Sequence, residues 1–245
     1  RCYADLLNRK VIALGDPVDF CVPTGNFGDI LAGYFAKKLG LPVGRLICAS
    51  NANNVLTDFL TTGIYDRRRP LHKTTSPSMD ILVSSNLERL LYLLSGDQAL
   101  VASLMEDLSQ KGYYQVPEEL LGAIQKEFGA GCCDDETAKE TIGKVYKAQG
   151  YLMDPHTACA WAVAEGHRGN APMVVLSTAS PYKFSSAVLS AIGGDVSGSE
   201  FERMDRLQAL TGVPIPANLR SLRGKPELHT DVIPKEQMPE YVLRR

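Results

Sequence analysis

Residues 23–29 read Pro-Thr-Gly-Asn-Phe-Gly-Asp and lie between an apolar run and a helix-like pattern. Gly25 and Gly28 lack side chains, so an anion can approach the main chain closely there. The first N–H groups of a helix are unpaired and carry the positive end of its dipole. The chemistry on offer is therefore phosphate binding by backbone N–H groups, with Thr24 and Asn26 as side-chain helpers. The loop has no Lys or Arg. No Gly-Lys-Ser/Thr follows it, and Gly-x-Gly-x-x-Gly does not fit, so neither of the common nucleotide loops is present. Taken alone, a Gly-x-x-Gly turn is more often an ordinary tight turn.

Other polar clusters stand at comparable places. "CASNANNVL" and "LSTASPYKF" follow strand-like runs, and three such ends side by side would form one polar crevice at the carboxyl ends of a parallel sheet. In residues 75–94, Ser84, Ser85 and Asn86 precede a helix with Glu88 and Arg89 in its first turn; a helix cap at Ser85 or Asn86 explains the same spacing. Asp154-Pro155-His156-Thr157 opens another helix, and Asp154 as N-cap with Pro155 at the first helical position needs no function. Lys183 lies just past the third strand. The set holds no Ser–His–Asp arrangement and no carboxylate pair, which points to a bound phosphorylated cofactor rather than to side-chain acid–base chemistry alone.

The elements that must position these residues follow from periodicity. "DFCVPT", "GRLICAS" (44–50) and "PMVVLST" (172–178) read as buried strands, each followed by polar residues and a helical pattern. This is the signature of a parallel α/β sheet covered by helices. Residues 1–96 and 151–212 are expected to share that α/β domain. Residues 97–150 read as a helical insertion with starts at Asp97, Pro117 and Asp134. Residues 213–245 carry five prolines and are expected to be an extended segment. Three strands leave two bare edges, so either more strands precede residue 1 or the chain pairs with something.

Composition narrows the class. The 245 residues carry a net charge of −2, with 44% hydrophobic and 22% charged residues, which is ordinary for a globular protein and offers no nucleic-acid surface. No run approaches the ~20 apolar residues of a membrane span, and "RCYADLLNRK" has no signal-peptide core. Six cysteines, at 2, 21, 48, 132, 133 and 159, show no Cys-x-x-Cys spacing, which suggests a reducing compartment and no structural zinc. A cytoplasmic location is the expectation. The first residues read as a helix already under way, which suggests that a further segment precedes them.

"PTGNFGD", "ASNANNVLTDFLTTGIYD", "SPSMDILVSSNLERLL", "DPHTA" and "LSTASPYKF", in this order, resemble the threonine synthase family, most closely its vertebrate threonine synthase-like 2 group. The resemblance covers nearly the whole chain. It implies the type II fold of pyridoxal-phosphate (PLP) enzymes, similar to the tryptophan synthase β chain, of which this chain would be the C-terminal half. It implies that Gly25, Asn26, Phe27, Gly28 and Asp29 surround the PLP phosphate and that Thr178 meets the pyridine nitrogen. For a phosphorylated amino acid substrate it points to Ser84, Ser85, Asn86, Arg89, His156, Thr157 and Lys183. Ser180 stands where the family commonly has His, which bears on substrate handling.

The family's covalent (Schiff-base) lysine sits in a Phe-Lys-Asp motif, and none of the twelve lysines here has that context. The expectation is therefore half of a site for a PLP-dependent phospho-lyase acting on O-phosphohomoserine- or O-phosphothreonine-type substrates, inactive as this chain. The alternative is a short, non-enzymatic product, secreted without a signal peptide and cytokine-like. Neither nucleic acid nor membrane is an expected partner, and an uncovered half-sheet would favour self-association.

Overall fold

The computed structural model describes residues 1–244, which fall into two compact units, Arg1–Val213 and the residues from Pro214 onward. The first unit begins with α1 (Cys2–Asn8), β1 (Val18–Pro23), α2 (Gly28–Lys38), β2 (Val43–Ser50), α3 (Val55–Thr62) and β3 (Ile64–Asp66). Next come α4 (Leu87–Ser95), α5 (Gln98–Gln110), β4 (Tyr113–Gln115), α6 (Glu118–Glu127) and β5 (Phe128–Cys132). It closes with α7 (Asp135–Gln149), α8 (Pro155–Glu165), β6 (Met173–Val175), α9 (Ser185–Ala191) and α10 (Glu200–Thr211).

The main sheet has the order β5-β2-β1-β6, with every pair parallel. Strand alternation sends Val22 of β1 and Leu46 and Cys48 of β2 into one core with Phe27 of the β1–α2 loop and Ile30, Leu31, Phe59, Leu90 and Leu91 from the helices. Cys21 points to the other face, where its thiol donates to the Ala160 carbonyl of α8 at 3.2 Å. The helix starts legible in the sequence are made by their side chains: Asp97 accepts the Leu100 N–H at 2.9 Å, and Asp134 accepts that of Thr137 at 2.8 Å.

Two expectations need correcting. The segment 97–150 is not wholly helical, because it contributes β4 and β5. β5 reads Phe-Gly-Ala-Gly-Cys and has no β-branched residue to announce a strand. Its glycines are there because neighbours come close: a Cβ on Gly129 would lie 2.8 Å from Ile47 Cδ1, and one on Gly131 2.8 Å from Val163 Cγ1. β4 pairs antiparallel with β3, where Tyr65 and Tyr114 stack at 5.2 Å and Phe59 meets both rings edge-on. The second unit is not simply extended either. It contains α11 (Ala217–Arg220) and α12 (Met238–Leu243). Pro216 stands at the N-cap of α11 and Pro239 within the first turn of α12, where a missing N–H costs nothing.

The outer side of β6 is open. Asp19 N–H donates to Pro172 O, and Leu176 N–H to Cys21 O. By parallel alternation, the N–H and C=O of Met173 and Val175 then face away from β1. No strand covers them among the described residues. Such an edge recruits strands. Self-association is the expected outcome, and Val175→Pro, which deletes only an outward N–H, should shift the population toward monomer in multi-angle light scattering. In the interior, Gly131→Val should cost about 1–3 kcal/mol through overpacking against Val163, read by denaturant unfolding.

Candidate functional site

The loop between β1 and α2 is shaped from outside. The Ser84 hydroxyl donates to the Gly25 carbonyl, and the Asn86 N–H and Nδ2 each donate to the Asn26 carbonyl at 3.1 Å. A trans peptide unit sets C=O and N–H on opposite sides. With both carbonyls drawn toward residues 84–86, the N–H groups of Asn26 and Phe27 are turned the other way. Phe27 adopts a left-handed conformation (φ 65°), and its buried ring, 5.5 Å from that of Phe128, helps hold this uncommon geometry for a non-glycine residue. Gly28 donates its N–H to Asn26 Oδ1 at 2.9 Å.

Phe27 caps α2 without offering a side-chain acceptor. Among the described residues, the N–H groups of Gly25, Asn26, Phe27 and Asp29 have no hydrogen-bond acceptor. Uncommitted N–H groups at a helix start form an anion cup, and the donor set fits the phosphate of PLP. Thr24 takes no part: it is buried, its N–H donates to Ala49 O and its hydroxyl to Val22 O. The Asp29 carboxyl lines a cavity of about 180 Å³ with Arg1, Phe20, Gly33 and Leu176, and burial raises its pKa.

The crevice expected at "ASNANN" is largely filled by its own bonds. Asn51 Nδ2 reaches Asp80 Oδ1 at 2.8 Å, and Asn53 Nδ2 reaches it at 3.0 Å. Thr74 adds its hydroxyl at 2.7 Å and its N–H to Asp80 Oδ2 at 2.9 Å. These buried amides tie residues 72–80 to the end of β2, as buried polar groups must find partners. The knot was missed in the sequence; the short polar residues of "SNANN" and "SMD" were its signal.

The residues expected on the substrate separate into groups. Ser84 and Asn86 hold the loop. Ser85 is exposed beside them. His156 and Thr157 are buried at the start of α8 and bonded to Asp154, which is itself 0% exposed. The Thr157 hydroxyl also lies 3.3 Å from Ser177 Oγ, next to Thr178. Thr178 is exposed, three residues past the Cys21–Val175 pair that ends the β1–β6 ladder. Lys183 is exposed, with its ammonium 5.9 Å from the Phe184 ring centre. Arg89 is not brought to the loop's open side. It lines a surface groove of about 560 Å³ with Phe35, Tyr92 and Met105; Phe35 is about 10 Å along α2 from Gly28. Burial pushes the Cys21 and Cys48 thiols up to about 12, so neither is a poised nucleophile. Among the described residues no His/Cys/Asp/Glu group could hold a metal, and no helix is long and apolar enough to cross a membrane.

Comparison with known proteins locates this arrangement. The family model described as "Threonine synthase, C-terminal" matches residues 157–237. The PLP-bound threonine synthase of Brucella melitensis superposes with a TM-score of 0.75 at 44% identity, covering 84% of this chain and 45% of that one. Yeast threonine synthase gives 0.76 at 35% identity, covering 90% and 45%. Threonine synthase-like 1 of Homo sapiens is 44% identical over 193 residues, 78% of this chain and 26% of the relative. The parallel sheet and its loop define an α/β fold of the type II PLP-enzyme class. The chain belongs to the threonine synthase family. It spans about a quarter of the threonine synthase-like 1 relatives and under half of the solved threonine synthases it matches.

The raised pKa of Asp29 carries a sign. A raised carboxyl favours the protonated form in the fold, so its contribution to stability is present below the unfolded pKa and is lost as pH rises through the folded one. In its ionised form the carboxylate is a negative charge in the first turn of α2, next to the cup. Asp29→Asn should tighten inorganic phosphate binding at pH 7 by roughly threefold, the scale of a screened repulsion. The gain should shrink as the pH is lowered and the carboxyl takes up its proton, as isothermal titration calorimetry can check.

Proposed function

We propose that this chain forms the phosphate- and ring-holding part of a PLP site in a threonine synthase-like enzyme. The observation that carries the reading is the cup at residues 25–29, with two carbonyls turned away and four N–H groups left without acceptors. Gly25, Asn26, Phe27 and Asp29 would hold the phosphate through their N–H groups, Gly28, whose N–H is taken by Asn26 Oδ1, keeping the approach free of a side chain, and the Thr178 hydroxyl would meet the pyridine nitrogen. When bound, PLP supplies an electron sink for elimination or replacement at the β or γ carbon of an amino acid. A neutral hydroxyl at that nitrogen, unlike a carboxylate, does not enforce a ring proton, which makes the sink milder.

The chain's own residues then have separable tasks. Ser84 and Asn86 orient the cup, and Thr157 and Ser177 brace the strand end that carries Thr178. Ser85 and Lys183 are the exposed groups that remain for a phosphorylated substrate, Lys183 adding a charge-assisted bond to phosphate. The substrate class that fits is an O-phosphohomoserine- or O-phosphothreonine-type amino acid, with a 2-oxo acid, phosphate and ammonia, or threonine, as products. No lysine of these 245 residues stands in a Phe-Lys-Asp context. The proposal therefore includes that residues 1–245 alone bind PLP without the covalent anchor and do not turn over.

The test is to titrate the protein with PLP, reduce with borohydride and map modified lysines by mass spectrometry. Saturable binding with no single modified lysine is the expected result. A stoichiometric adduct at one lysine would overturn the proposed lack of an anchor, and absence of binding would overturn the cup.

A further inference from the structure

His156 is 2% exposed and both of its ring nitrogens are engaged. Nε2 accepts the Ser78 N–H at 3.2 Å, so the ring hydrogen belongs on Nδ1, which donates to Asp154 Oδ1 at 2.8 Å. Asp154 also accepts the N–H groups of His156, at 2.9 Å, and Thr157, at 3.4 Å, together with the Thr157 hydroxyl. The Phe184 ring lies against the imidazole at 4.8 Å. The imidazole therefore has one orientation, and that orientation is spent on Ser78.

Ser78 sits in the 3-10 turn Pro77–Met79, which backs directly onto Gly25. A Cβ on Gly25 would lie 3.0 Å from the Ser78 carbonyl oxygen and 3.1 Å from Met79 Cα. The two ends of the surrounding segment are anchored independently. Asp80 is bonded by Thr74, Asn51 and Asn53, and Thr75 donates to Asp135. Asn51 Nδ2 holds Ser76 at its carbonyl (3.3 Å) and hydroxyl (3.1 Å), and His156 holds Ser78. On the opposite side of Gly25 the Ser84 hydroxyl grips the carbonyl. Gly25 is thus clamped between a turn fixed by α8 and a hydroxyl from the start of α4.

We infer that His156 is a positioning residue for the cup: acting through Ser78, it sets where Gly25 stands and touches neither phosphate nor substrate. The inference rests on the reading of residues 25–29 as a phosphate cup. With the His156–Ser78 bond gone, the turn is free to recede while its ends stay tied. The loop N–H groups then lose convergence before the fold loses stability.

Two variants separate this role from plain packing. In His156→Gln the side-chain oxygen reaches about as far as Nε2 and can still accept the Ser78 N–H. In His156→Asn the side chain reaches only as far as Nδ1, so Asp154 can be served but Ser78 cannot. Both lose the ring, so both should melt lower by similar amounts. The expected result is that the Asn variant loses about tenfold in PLP affinity and exchanges its Ser78 amide hydrogen about tenfold faster. The Gln variant should stay within about threefold of the parent on both. Equal PLP affinity in the parent and both variants, or losses that follow melting temperature alone, would overturn the inference with the cup intact. A parent protein that binds no PLP would instead overturn the functional reading on which it rests.

Discussion

Two carbonyl oxygens govern the site. Those of Gly25 and Asn26 are taken by Ser84 and Asn86, and a planar peptide then has no choice about where the following N–H groups go. Everything else at this end of the sheet serves that arrangement. The Asp80 knot fixes the segment that backs onto Gly25, and the Phe27–Phe128 contact steadies the left-handed residue at the loop's centre. β5 matters to function for this reason: the Phe128 ring that meets Phe27 comes from a strand lying two positions from β1 in the sheet.

The electrostatics are those of a neutral cup. No cation belongs to the loop, and the one ionisable side chain in its first helical turn, Asp29, is an acid whose burial favours its uncharged form. A site of this kind gains its attraction from oriented dipoles rather than from an ion pair. Dipoles lose strength quickly with misorientation, which places a premium on the residues that hold the backbone still. Asp154 is such a residue at one remove, since a single buried carboxylate gathers two main-chain N–H groups, one hydroxyl and one imidazole.

Much of this was legible in the residues themselves. β1, β2 and β6 carry apolar runs that end in small polar residues, and Asp97, Asp134 and Asp154 stand where helix caps belong. β5 was not legible, because its strand state is imposed by neighbours: only glycine fits beneath Ile47 at position 129 and beneath Val163 at position 131, and glycine carries no strand preference of its own. The sequence reads the loop as a phosphate cradle, yet the roles of its surroundings are not legible there. Ser84, Asn86, His156 and Thr157 looked like groups waiting for a ligand because their types suit one. Ser84, Asn86 and the His156 Nε2 meet main-chain atoms up to 78 residues away, and Thr157 is held by the Asp154 and Ser177 side chains; no local pattern encodes the distant pairings. Arg89 carries a charge that suits a phosphate, and in the fold it lines the groove with Phe35 and Tyr92.

A cup made of main chain has a consequence for how its importance would register in a mutational survey. Deleting side chains one at a time cannot delete a peptide N–H, so alanine replacements at Asn26 or Phe27 would disturb the loop's shape while leaving its donors in place. The sensitive positions would be remote ones, Ser84, Asn86 and Asp154, none of which need touch the bound group. A map of tolerated substitutions would outline the frame of this site and, within the cup, mark Gly25 for want of room rather than the groups that donate.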